Sequence, residues 1–131
     1  MSTIREGFIG FFDILGYQNI IENKEIEEVA IIIFEIMNKL KESVKSALKG
    51  LIPEGESRQD FTVEMEKINW LIISDSILLS YEMDSKTSPS IKMYKRITFL
   101  LHVAMLLRFT FNKGLPLRGA IDIGRFFIKV L

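Results

Sequence analysis

Residues 8–17 read FIGFFDILGY, a run of large apolar side chains bounded by glycine and interrupted by one carboxylate, Asp13. A short apolar run closed by glycines suits a strand buried on both faces, and residues 8 to 15 are expected to form one. The acid inside it is the constraint. A buried carboxylate costs free energy unless it is ion-paired, hydrogen-bonded or bound to a metal, so the fold must give Asp13 a partner.

The rest of the chain supplies elements of matching size. From about Asn23 to Leu48, Ile26, Val29, Ala30, Ile33, Met37, Leu40 and Val44 recur at spacings of three and four. Acids gather in the first turns and lysines in the later ones, as the helix dipole favours, which predicts one long amphipathic helix with Gly50 near its end. Residues 50–60 and the segment EMDSKTSP read as loops. Between them INWLII and ILLSY flank SDS at 74–76, which predicts a hairpin in which a short polar turn joins two strand-like runs.

Ser88 followed by Pro89 opens a second helix, serine as cap and proline at the first helical position, and it should run to about Asn112 before Lys113 and Gly114. LPLRGAIDIG then alternates as a strand and leads into RFFIKVL. The order strand, helix, strand, strand, helix, strand predicts a single α+β domain over 1–131. Its expected core is a ferredoxin-like, palm-type antiparallel sheet with helices on one face. In that topology the first strand lies beside the central hairpin, and Asp13 and Asp75 meet at one edge of the sheet.

Charge and composition exclude several classes of partner. Lys plus Arg equals Asp plus Glu at 17 each, so a broad electrostatic grip on nucleic acid or anionic lipid is not expected. There is no cysteine, which removes disulfides, thiolate metal sites and cysteine nucleophiles. The opening MSTIREG lacks the pattern of a secretory signal, and a cytoplasmic location follows as the expectation. The most apolar window, residues 97–111, is shorter than a membrane span and carries His102 and Arg108, so it reads as a buried helix. His102, the chain's one histidine, reads as a hydrogen-bonded core residue rather than a ligand.

Two aspartates side by side repel one another unless a cation stands between them. Magnesium is content with a few carboxylates plus water and substrate phosphates. Gly16 allows close approach, and the amides of Gly16, Tyr17 and Gln18 can cradle phosphate. Each residue also has a plainer reading: Asp75 as a turn former, Asp13 as a cap, Arg118 as a solvated strand residue rather than a phosphate ligand.

Taken together, FFDILGY, ISDSILLS and LPLRGAIDIG resemble the catalytic-domain motifs of class III nucleotidyl cyclases, in particular the divergent bacterial branch that includes the pyrimidine cyclases of antiphage defence. The resemblance implies a 3′,5′-cyclic nucleotide formed from a nucleoside triphosphate with release of pyrophosphate. It implies two Mg2+ or Mn2+ ions on Asp13, Asp75 and the carbonyl of Ile14, and phosphates held by Leu15, Gly16, Tyr17 and Gln18, with Arg118 nearby. It also implies a head-to-tail homodimer, because the family's sites form between two subunits.

The chain departs from that pattern in two places. Many purine cyclases carry lysine and glycine where this chain has Leu71 and Ser74. The family's transition-state asparagine and arginine fall beyond Leu131, so the chain is expected to hold the N-terminal part of the fold. The rival expectation is a noncatalytic dimerisation or regulatory module on a degenerate cyclase fold. A diguanylate cyclase or polymerase relative is a third, and the missing Gly-Gly-Asp/Glu-Glu-Phe signature counts against the former.

Overall fold

The structure is a computed structural model that describes residues 2–49, 68–83 and 88–129. The loop expectations at residues 50–60 and 84–87, and Gly50 as a helix end, lie outside the described residues. Within them the chain runs β1 (Ser2–Ile14), α1 (Tyr17–Asn23), α2 (Ile26–Leu48), β2 (Asn69–Ile73), β3 (Ser76–Glu82), α3 (Pro89–Asn112) and β4 (Leu117–Lys129). The strands form one sheet in the order β2-β3-β1-β4, with every neighbouring pair antiparallel. This is the α+β, ferredoxin-like arrangement expected from the pattern.

Strand geometry decides which side chains enter the core. Alternate residues point to opposite faces, so Phe8 and Phe12 of β1 share a face with Ile77, Leu79 and Tyr81 of β3. That face is covered by α2 and α3. Their residues Ile36, Leu40 and Val44 and Tyr94, Phe99, Val103 and Leu106 complete one buried cluster. Phe8 and Phe99 stack with ring centroids 5.2 Å apart. The helical layer stops short of β4, whose Ile121 and Ile123 on the same side of the sheet remain exposed.

The burial of residues 8 to 15 on both faces is corrected by the structure. Phe12 is 3% exposed and the adjacent Phe11 is 50% exposed, because no described element covers the second face of the sheet. The strand is also longer than the apolar run. The β1–β4 register extends from Ser2↔Lys129 to Ile14↔Leu117, so it takes in residues 2–7, STIREG, a mostly polar stretch with only Ile4 apolar.

The long helix matches its expected end at Leu48 but starts at Ile26, three residues later than expected, behind a separate short helix, α1. Lys24 is extended (φ −134, ψ 147), as is Glu25 (φ −69, ψ 147), which caps α2 and separates it from the short α1. The second helix matches its reading: the Ser88 hydroxyl accepts from the Ile91 amide at 3.4 Å, Pro89 occupies the first turn, and Gly114 follows the end with φ +77.

The sequence RG in β4 has a steric reason. A Cβ on Gly119 would overlap the carbonyl oxygen of Phe11 and the ring of Phe12, so only glycine lets β4 lie this close over β1. The effect is to hold Arg118, the preceding residue, directly opposite Asp13 in the register.

Candidate metal and phosphate site

Asp13 is the last residue but one of β1, and the register sets it against Ser76 of β3 on one side and Arg118 of β4 on the other. The Ser76 hydroxyl donates to Asp13 Oδ1 at 3.1 Å. That bond gives the half-buried carboxylate one polar partner and leaves its remaining lone pairs for something else. Asp75 reaches the same place from the β2–β3 turn. The Ile14 amide donates to the Asp75 carbonyl at 2.8 Å, which ties the hairpin turn to the end of β1.

The turn itself is unusual. Ser74 adopts φ 56, the left-handed region that glycine enters freely and that costs other residues about 1 kcal/mol. This is the position where the resemblance leads one to expect glycine, and the backbone keeps the glycine-like conformation with serine in place. Gly16 likewise has φ 68 as it turns the chain from β1 into α1, and open space surrounds the position a Cβ would take.

Asp13, Ile14, Leu15, Gly16, Tyr17, Gln18, Ser74, Asp75 and Arg118 line one open pocket of about 520 Å3. All the residues singled out from sequence as metal or phosphate contacts are therefore brought together. One of them has a competing engagement: the Leu15 amide donates to the Pro116 carbonyl at 2.8 Å and is spent on backbone pairing. The first amide of the next turn to bond within the helix is that of Ile20, to the Gly16 carbonyl at 3.0 Å. The amides of Gly16, Tyr17 and Gln18 lie ahead of it, beside the pocket.

Two carboxylates, a hydroxyl and nearby carbonyls form a hard oxygen donor set, which suits magnesium or manganese. Among the described residues no cluster of three or more acids, histidines or cysteines occurs, so a cation here would draw its remaining ligands from backbone, water and phosphate. His102 stands apart from this site. It is buried in α3 with Nδ1 2.7 Å from the Thr98 carbonyl and its ring 6.4 Å from that of Trp70. Burial holds its pKa below the usual histidine value, against the opposing pull of the Thr98 carbonyl, and Lys41 of α2 adds to the lowering.

Sequence reasoning missed Ser76 as the partner of Asp13 and Tyr17 as a wall residue rather than only an amide donor. Ser76 is visible in SDS once the register of the hairpin against β1 is known. No signal in the sequence gives that register by itself.

No family model and no curated protein matches the sequence. Among solved structures, the chain is similar to the adenylyl cyclase CyaB from P. aeruginosa. The TM-score is 0.50 and the identity 12%, over 98% of this chain and 61% of that one. The likeness establishes a cyclase-like fold, and the chain spans somewhat under two thirds of that neighbour's length. No helix among the described residues is long and apolar enough to cross a membrane.

Proposed function

We propose that this domain binds a nucleoside triphosphate with divalent metal and belongs to the machinery that closes it to a 3′,5′-cyclic nucleotide with loss of pyrophosphate. The observation that carries the reading is the convergence of Asp13 and Asp75, far apart in sequence, on one pocket beside Gly16 and Arg118. Asp13, Asp75 and the Ile14 carbonyl would hold Mg2+ or Mn2+, two ions by analogy with the class III cyclases. Metal in that position supplies charge neutralisation for phosphates and a lowered pKa for a ribose hydroxyl.

The chain's own groups bind and orient. The amides of Gly16, Tyr17 and Gln18 donate to phosphate oxygens, and the Arg118 guanidinium adds a fixed positive charge beside them. Ser76 holds the Asp13 carboxylate in one rotamer through its 3.1 Å bond, which preorganises the acid for a cation. Leu71 and Ser74 occupy positions where many purine cyclases have lysine and glycine, which favours the divergent branch and a base other than adenine. Groups for the transition state come from a second copy, arranged head to tail, or from additional chain.

Calorimetry with manganese and each of the four ribonucleoside triphosphates tests the reading. Wild type should bind at least one, and Asp13→Ala and Asp75→Ala should weaken it at least about tenfold. Equal affinity, or equal silence, in all three proteins overturns it.

A noncatalytic dimerisation module is favoured by a different observation. Phe11, Leu71 and Ile73 stand exposed together on the uncovered face of the sheet, an apolar surface of the kind that seeks a partner. That reading expects a stable dimer by sedimentation with no cyclic product by mass spectrometry and no response to magnesium.

A further inference from the structure

The helix α3 is apolar on two sides of its axis. One side carries Phe99, Val103 and Leu106 into the core. The other carries Met93, Ile97, Leu100, Ala104, Leu107 and Phe111, at spacings of four, three, four, three and four. Ile97 is half-buried and the other five are exposed, Met93 at 59% and Phe111 at 70%. Apolar residues all round a helix belong to one that is covered on every side.

Alternating steps of four and three give a period of 3.5 and a narrow seam, two positions in seven. That is the pattern by which one helix grips another, knobs into holes. No acid lies on α3, and Arg96 and Arg108 border the seam. The two arginines are separated by about 120° around the axis, so they stand on opposite flanks.

The seam is complementary to itself when reversed. Turned end for end about its midpoint, it sets Leu100 of one protomer against the partner's Ala104, Ile97 against the partner's Leu107, and Met93 against the partner's Phe111. The smallest residue of the six then meets a leucine, which lets the two helices close at the middle of the contact. Charge agrees with size. In that register no arginine faces an arginine, and each lies about 18 Å along the axis from its own copy, beyond the roughly 8 Å Debye length. A parallel pairing does the reverse: Ala104 meets its copy across a gap, Phe111 crowds its copy, and each arginine comes level with its copy.

We propose that α3 is a self-association surface, on which two copies of this chain pair as antiparallel helices about a twofold axis. The contact is isologous, so it closes on two copies. It goes beyond the nucleotide reading and uses none of the pocket. Phe11 and Asp13 lie on the opposite face of the sheet from the helices, so the pairing leaves that face free for a separate, head-to-tail contact. An anionic lipid surface is the competing occupant for a basic, apolar helix. It requires neither a seam this narrow nor sizes that match on reversal.

The chain has no cysteine, so single introduced cysteines report on the pairing alone. Met93→Cys and Phe111→Cys are substitutions at exposed ends of the seam. In the antiparallel pair each of these positions is about 27 Å from its own copy, whereas Met93 sits beside Phe111. Oxidation should therefore cross-link an equimolar mixture of the two variants at least about tenfold more than either variant alone, since a disulfide cannot span the longer gap. Sedimentation should show a wild-type dimer. Its Kd should rise at least about tenfold in Leu100→Glu, which buries an unpaired carboxylate at two equivalent places, with the urea midpoint reporting that the fold is intact. Phe11→Glu, on the open sheet face, should leave the cross-link unchanged.

Cross-linking of Met93→Cys with itself overturns the antiparallel pairing. A monomeric wild type that gives no cross-link overturns the proposal, and phosphatidylglycerol vesicles that bind this monomer but not Leu100→Glu assign the seam to lipid. A dimer lost in Phe11→Glu and kept in Leu100→Glu puts self-association on the open sheet face and also overturns it. Each of these results leaves the calorimetric test of metal and nucleotide to stand or fall separately.

Discussion

Phe11 and Phe12 are neighbours of the same type in the same strand, yet one is half exposed and the other buried in the core. The difference belongs to the two faces of the sheet. On the covered face, Phe12, Ile77 and Leu79 pack beneath α2 and α3, and the contacts hold the fold together. On the uncovered face, Phe11, Leu71 and Ile73 share the surface with Asp13, and little there contributes to stability. One strand thus serves both purposes, with stability on its even positions and candidate chemistry on its odd ones.

The largest expected effect separates the faces outright. Phe12→Ala should cost about 3–5 kcal/mol in urea unfolding, because it removes a packed ring and leaves a cavity. Phe11→Ala should cost about 1 kcal/mol or less, the usual range for a surface position. Similar losses for the two would mean that the open face is covered in solution, and would erase the distinction.

Next is the point where the faces are tied together. Gly119→Ala should cost about 1–3 kcal/mol, since its Cβ meets Phe11 backbone and the Phe12 ring and must push β4 away from β1. The same shift displaces Arg118 from Asp13, so any phosphate affinity should fall along with stability. A stable protein with unaltered binding would show that β4 does not position the site.

A smaller effect is a matter of pH and belongs to the covered face alone. His102 is neutral in the fold, with its pKa held below the unfolded value near 6.5 by burial. Between those two values the unfolded chain binds the extra proton and the fold does not. Stability is therefore full above about pH 6.5 and declines as pH falls below it, levelling off once the folded pKa is passed. His102→Gln should flatten that slope in urea midpoints measured from pH 7.5 downward; an unchanged slope would assign it to other groups.

The smallest effect lies outside both faces. Ser88→Ala should cost about 0.5–1 kcal/mol, at the low end for a cap because its bond to the Ile91 amide is long at 3.4 Å. A larger loss would mark this helix start as a nucleus of the α3 packing.

Much of this was legible in the residues. SDS between two apolar runs marked the hairpin, Ser88-Pro89 marked the start of α3, and the three- and four-residue spacing marked Val29, Ile33, Leu40 and Val44 on the face of α2 that meets the sheet, while Ile26 of the same set is exposed and Ile36, outside it, is buried. These are local signals, set by turn chemistry, capping and helical period. The break between α1 and α2 was not legible, because Lys24 and Glu25 both suit a helix interior and neither is a preferred capping residue; Glu25 caps α2 with no side-chain hydrogen bond. The extension of β1 back to Ser2 was hidden as well: it depends on pairing with β4, more than a hundred residues away.

The site divides along the same line. The sequence by itself determined that Asp13 needs a partner, that a second acid waits in a hairpin turn, and that glycines flank Asp13, since these follow from residue type and short-range geometry. Only the tertiary structure decided that Ser76 is the donor to Asp13, that Arg118 stands opposite it, that the Leu15 amide is taken, and that one apolar side of α3 stays open. Each of those facts depends on the register between strands and on what a helix leaves uncovered, and no local pattern in a chain encodes either.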